Sequence, residues 1–134
     1  MSIVAAYAPD EFGRAAVEAA LAVAAARGTD VVVVNATRGD ALVDARFADD
    51  RQSADLDALL SGTPVPTSVR RPVGGDVADA VLGVAREVGA TLVVVGLRHR
   101  SPVGKMLMGS VAQRILLDAD VPVLSVKPGQ TVPL

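Results

Sequence analysis

Thr91-Leu-Val-Val-Val-Gly96 runs without a break into Leu97-Arg-His-Arg-Ser-Pro-Val-Gly-Lys-Met-Leu-Met-Gly-Ser110. The first part is a short aliphatic run with no polar alternation, the pattern of a strand buried on both faces. The second is a basic, glycine-bearing loop. After it, Val111, Ile115, Leu116 and Ala119 recur at helical spacing. A glycine-bearing loop between strand and helix is where α/β proteins hold anions, because free backbone N–H groups and the positive end of the helix dipole converge there. Arg98, Arg100 and Lys105 sit in this loop. No Asp or Glu occurs from Val88 to Leu117, although the whole chain has a formal net charge of -2.

Outward from this stretch, the same grammar repeats. Apolar runs at Ile3–Tyr7, Asp30–Asn35, Val65–Arg70 and Pro122–Val126 read as four more strands. Helical patterns fall between them. One is expected over Pro9–Arg27, ended by Gly28, and one over Asp76–Val88, capped by Asp76 and ended by Gly89. Leu56, Leu59 and Leu60 suggest a short helix, and Ser110–Ala119 predicts the last one. Thr37–Arg51 is acidic and polar, and reads as a mobile connection with at most partial helix. Alternating β and α elements predict one doubly wound α/β domain, a parallel sheet with helices on both faces. Residues 1–128 form this domain and 129–134 a flexible tail. Ligands of such sheets bind beyond the carboxyl ends of the strands, where strand order reverses. The loops after strands one, two and four open there.

Composition narrows the function. At 134 residues the chain fits a single domain with a full core, and 51% hydrophobic content argues against disorder. Only Tyr7, Phe12 and Phe47 are aromatic, which leaves few rings for stacking single-stranded bases. No net basic excess favours duplex binding. Without cysteine there is no disulfide, thiolate chemistry or cysteine-held metal. No basic leader precedes the first apolar run, and no run is long enough to span a membrane, so a cytoplasmic protein is expected.

Known phosphate motifs fail at named residues. A dinucleotide fingerprint would put Gly-x-Gly-x-x-Gly after strand one, where Ala8-Pro-Asp-Glu-Phe-Gly13 stands. A Walker loop matches only Gly104-Lys105, with His99 at the first glycine and Met106 at the magnesium hydroxyl. A phosphoacceptor receiver needs an acidic cluster after strand one and an Asp after strand three, and these ends read Ala5-Ala-Tyr-Ala8 and Val69-Arg-Arg71. The signatures His-x-x-His and Ser-Gly-Gly-x-Asp-Ser of nucleotidyl transferases and ATP pyrophosphatases are absent too. Gly96, Gly109 and Ser110 remain, the two glycines thirteen positions apart.

In these residues, in Val111-Ala-Gln-Arg-Ile-Leu116 and in Val121-Pro-Val-Leu-Ser-Val-Lys127, the chain resembles the universal stress proteins. Nucleotide-binding members carry Gly-x2-Gly-x9-Gly-[Ser/Thr] between strand four and the last helix. Gly96, Gly109 and Ser110 match this pattern. His99 stands at the middle glycine, and Tyr7 at the position where many members carry an Asp. The resemblance implies a five-stranded parallel sheet of order 3-2-1-4-5. It also implies an adenine-nucleotide-binding protein, ATP foremost, with or without magnesium, in stress response or signalling. Adenine would lie near Pro9 and on the main chain at Val34 and Asn35, and the phosphates against Gly96, Arg98, His99, Gly109, Ser110 and Val111. Members commonly dimerise through the last strand, which here predicts a homodimer with Val121, Val123 and Leu124 at its interface. No residue set supplies both a general base and a metal site, so a binding protein rather than an enzyme is expected, with weak ATP hydrolysis left open. The alternative is a dimeric module that has lost the nucleotide and acts through protein partners.

Overall fold

A computed structural model describes residues 1–37, 50–97 and 109–134. Its elements alternate as β1 (Ser2–Ala6), α1 (Glu11–Arg27), β2 (Asp30–Val34), α2 (Asp50–Ser61), β3 (Thr67–Arg70), α3 (Val77–Glu87), β4 (Leu92–Gly96), α4 (Ser110–Asp118) and β5 (Val123–Val126). The strands form one parallel sheet of order β3-β2-β1-β4-β5. Val4 of β1 pairs with Val32 of β2 on one side and Val93 of β4 on the other.

Side chains alternate across each strand, and both faces are covered. Ile3, Ala5, Val31, Val33 and Val94 pack with α1 and with Leu56 and Leu60 of α2. Val4, Val32, Val34, Val93 and Val95 pack with α3 and with Ile115 of α4. This explains the uninterrupted apolar runs, since neither face of the central strands meets water. Each fully buried aliphatic side chain contributes roughly 1.5–3 kcal/mol.

Element boundaries differ from the sequence expectation in ways with local causes. Helix α1 starts at Glu11 rather than Pro9, because Asp10 is its extended N-cap and accepts from the Gly13 N–H at 2.8 Å. Strand β3 starts at Thr67 rather than Val65: Val65 is buried in the α1–α2 layer, and Pro66 has no N–H to donate. Helix α2 already includes Asp50 and Arg51. The rest of the expected mobile connection, from residue 38 to 49, lies outside the described residues. Thr37 pairs with Val73 and so extends the edge of the sheet beyond β2. After Val126 the chain turns at Gly129 (φ 85) and brings Val132 of the expected tail against the α1 layer. No helix among the described residues is long and apolar enough to cross a membrane.

Candidate functional site

From β1 the chain builds outward to β2 and β3, then returns to place β4 and β5 on the other side. The reversal leaves a gap at the carboxyl ends of β1 and β4. A cavity of ≈ 380 Å³ occupies it. That falls within the roughly 300–1,000 Å³ typical of small-molecule sites. Among the described residues its walls are mostly apolar. Ala6, Val34 and Val95 come from strand ends, Val77 and Val81 from α3, and Val111, Ala112 and Ile115 from α4. Tyr7 and Asp10 are the polar side chains on this lining, and Gly96 and Gly109 stand at its two loop ends.

Helix α4 begins beside this cavity without a side-chain cap. Gly109 is its N-cap, in extended conformation, and makes no capping bond. Ser110 is therefore the first helical residue rather than the cap, and its side chain is exposed. The first intrahelical bond runs from the Gln113 N–H to the Gly109 carbonyl at 3.0 Å. Intrahelical bonding thus leaves the N–H groups of Ser110, Val111 and Ala112 available at the positive end of the helix.

The two motif glycines have different physical grounds. A Cβ at Gly96 would lie 2.6 Å from the Phe12 carbonyl carbon and collide with its oxygen. Glycine is required there by the first turn of α1, which packs directly on the end of β4. Gly13 has the same role against the Ala8 backbone, at 2.5 Å from its nitrogen. A Cβ at Gly109 meets nothing within 4 Å among the described residues, and its φ of -63 suits any residue. Among the described residues, neither packing nor backbone conformation asks for glycine at 109.

Other expected site residues are placed as follows. Val34 and Val111 line the cavity. Asn35 is buried, with 1% exposure, and ties strand ends together. Its side-chain amide donates to the Tyr7 carbonyl at 3.2 Å and its backbone N–H to the Arg70 carbonyl at 2.9 Å. Pro9 lines a separate depression of ≈ 260 Å³ between α1 and α2, which Tyr7 and Asp10 also border. Arg98 and His99 lie outside the described residues. Tyr7 and Asp10 belong to the loop after strand one, which was expected to open on this edge, whereas Ala6, Val77 and Val81 were not expected as cavity walls. Only Tyr7 and Asp10 carried a signal, as polar residues directly after an apolar strand. Burial, then the Asp10 and Asp55 carboxylates, hold the Tyr7 phenol above its ordinary value of 10.0, so it is a neutral hydroxyl at physiological pH. Among the described residues no group of three or more His, Cys, Asp or Glu side chains could hold a metal ion.

Comparison with known proteins gives a consistent picture. The profile of the universal stress protein family matches residues 1–127. A universal stress protein of Mycolicibacterium smegmatis is 51% identical over 126 residues, covering 94% of this chain and 97% of the relative. The structure of a universal stress protein from Archaeoglobus fulgidus superposes with a TM-score of 0.76 at 27% identity, over 95% of this chain and 98% of the other. A universal stress protein crystallised in complex with cAMP superposes with a TM-score of 0.70 at 25% identity, over 96% of this chain and 98% of that one.

Proposed function

Because this chain belongs to the universal stress protein family, we propose that its cavity at the ends of β1 and β4 takes an adenine nucleotide. One observation carries the reading: an apolar cavity of base size leads directly to a helix start with no side-chain cap, whose N-cap glycine meets no packing constraint among the described residues. The base lies among Ala6, Val34, Val77 and Val95. The phosphates meet the N–H groups of Ser110 and Val111, where charge-assisted bonds to a helix N-terminus are available. The related protein that holds cAMP supports an adenine base as the apolar part. ATP is the leading ligand. A magnesium ion would be held by phosphate oxygens and water, since no cage of His, Cys, Asp or Glu side chains stands among the described residues.

Binding rather than turnover is the role assigned. The only ionisable groups on the described cavity wall are a neutral phenol and a carboxylate already capping α1. A nucleotide-loaded dimer, assembled along β5, would report nucleotide state in a cytoplasmic stress response.

Calorimetric titration of the protein with ATP, AMP and cAMP, with and without magnesium, tests the proposal. Saturable heat and a matching rise in melting temperature are expected for at least one of them. Absence of both at millimolar ligand would sink the nucleotide reading and leave a module that works through protein partners.

A further inference from the structure

Arg114 lies on α4 one turn after its start and reaches across to the start of α3. Its guanidinium meets Asp79 at 2.8 Å, Asp76 at 3.3 Å and Asp118 of its own helix at 3.4 Å. Asp76 is the N-cap of α3 and accepts from the Asp79 N–H at 3.1 Å. One carboxylate thus ends α3 and receives the arginine of α4. The planar guanidinium has enough donors to hold three carboxylates at once, which a lysine ammonium cannot match in geometry. Both helix starts stand on the cavity rim, with Val77 from α3 and Val111 from α4 on its wall. Helix α4 has no capping side chain to fix its first turn. The fork of Arg114 is instead the tie that joins α4 to the start of the neighbouring helix.

We infer that Arg114 is a positioning residue for the phosphate end of the cavity: by clamping the start of α4 to the start of α3, it holds the Ser110 and Val111 N–H groups where a phosphate can use them. This inference rests on the nucleotide reading above. Arg114 does not line the cavity, and three carboxylates offset its charge. Its effect is one of geometry rather than direct attraction. An exposed ion pair between two rigid helices is a modest force alone, but a network sharing one fork adds up.

The test uses AMP and adenosine as calorimetric probes on the wild type, Arg114→Met, Arg114→Lys and Asp79→Asn, with hydrogen exchange at the Gln113 amide of the ligand-free proteins. Arg114→Met should weaken AMP roughly three- to tenfold and leave adenosine unchanged. Arg114→Lys should recover part of the loss. Asp79→Asn separates geometry from charge: it removes a negative charge near the phosphates, yet should still weaken AMP. Gln113 exchange should accelerate in Arg114→Met. Tighter AMP binding by Asp79→Asn, equal losses for AMP and adenosine, or unchanged Gln113 exchange would each overturn the positioning role. A wild type that binds neither probe would overturn the nucleotide reading instead, and this inference for nucleotides with it.

Discussion

A methyl group at position 96 would sit 2.6 Å from the Phe12 carbonyl carbon, while one at position 109 would touch nothing within 4 Å among the described residues. Two glycines of one motif therefore predict opposite mutational behaviour. Gly96→Ala must push the first turn of α1 off β4, so it should destabilise by about 1–3 kcal/mol in denaturant unfolding. Gly109→Asp gives α4 the side-chain cap it lacks and a charge suited to the helix dipole. It should gain a few tenths to about 1 kcal/mol while abolishing nucleotide binding by repulsion and occupation of the same N–H groups. A calorimetric titration beside a melting curve on each variant reads both effects. If Gly109→Asp were to bind nucleotide as the wild type does, the phosphates would have to lie elsewhere. The sequence could pair Gly96 with Gly109 by spacing, but not tell their reasons apart, because Phe12 is far away in the chain. Tyr7 behaves as a second local probe. The folded state holds its proton more tightly than the unfolded chain does, since its phenol is raised above 10.0 by burial first and by Asp10 and Asp55 next. That contribution is fully present below the unfolded value and is lost as pH rises through the folded one. Wild-type stability should therefore fall relative to Tyr7→Phe as pH climbs past 10.0, by chemical denaturation at matched ionic strength. Parallel curves for the two proteins would contradict it.

Among the elements, the central strands β1, β2 and β4 could be read in advance because they are buried on both faces, and valine runs such as Val31–Val34 have no amphipathic alternative reading, whereas the exposed edge strand β3 showed only as a short apolar run with its start two residues too early. Helix starts were harder. Pro9 is a favourable first-turn residue by type, yet Asp10 holds the cap because its carboxylate reaches the Gly13 N–H at 2.8 Å, and the helix begins after it. Propensity alone does not decide between adjacent good candidates; the bond does. Asp10→Ala should then cost about 0.5–2 kcal/mol, with Asp10→Asn close to the wild type because the amide oxygen can accept the same bond. Thermal unfolding of the pair checks this, and equal losses would show that the charge of Asp10 matters more than its cap. Helix α3 was placed correctly at its start, since Asp76 is extended and followed by a clean apolar stripe. The partnership of its first turn with Arg114 had no sequence signal, because ion pairs between elements depend on how the sheet brings them together.

At the scale of the molecule, the order β3-β2-β1-β4-β5 follows from alternating elements only once the direction of each crossover is known, and it was the resemblance, not periodicity, that supplied it. The consequence is a sheet with β5 at one end. Its Pro122 and Val126 carbonyls accept from Val93 and Leu97 of the β4 side, so Leu124 also faces β4 and the backbone groups of Val123 and Ser125 point outward. Half-buried Val121, Val123 and Leu124 surround this edge, which no further strand pairs with among the described residues. An exposed row of donors and acceptors beside apolar side chains is a surface that a second chain can pair with. The expected homodimer through β5 can be tested without disturbing the fold. Ser125→Pro removes one outward donor, leaves the bonds to β4 intact, and restrains Leu124 only to the extended conformation it already has. Sedimentation at micromolar concentration should give a dimer for the wild type and a monomer for Ser125→Pro, with the circular dichroism of the two alike. A wild-type monomer, or a Ser125→Pro dimer of undiminished strength, would show that β5 is not where the chains meet.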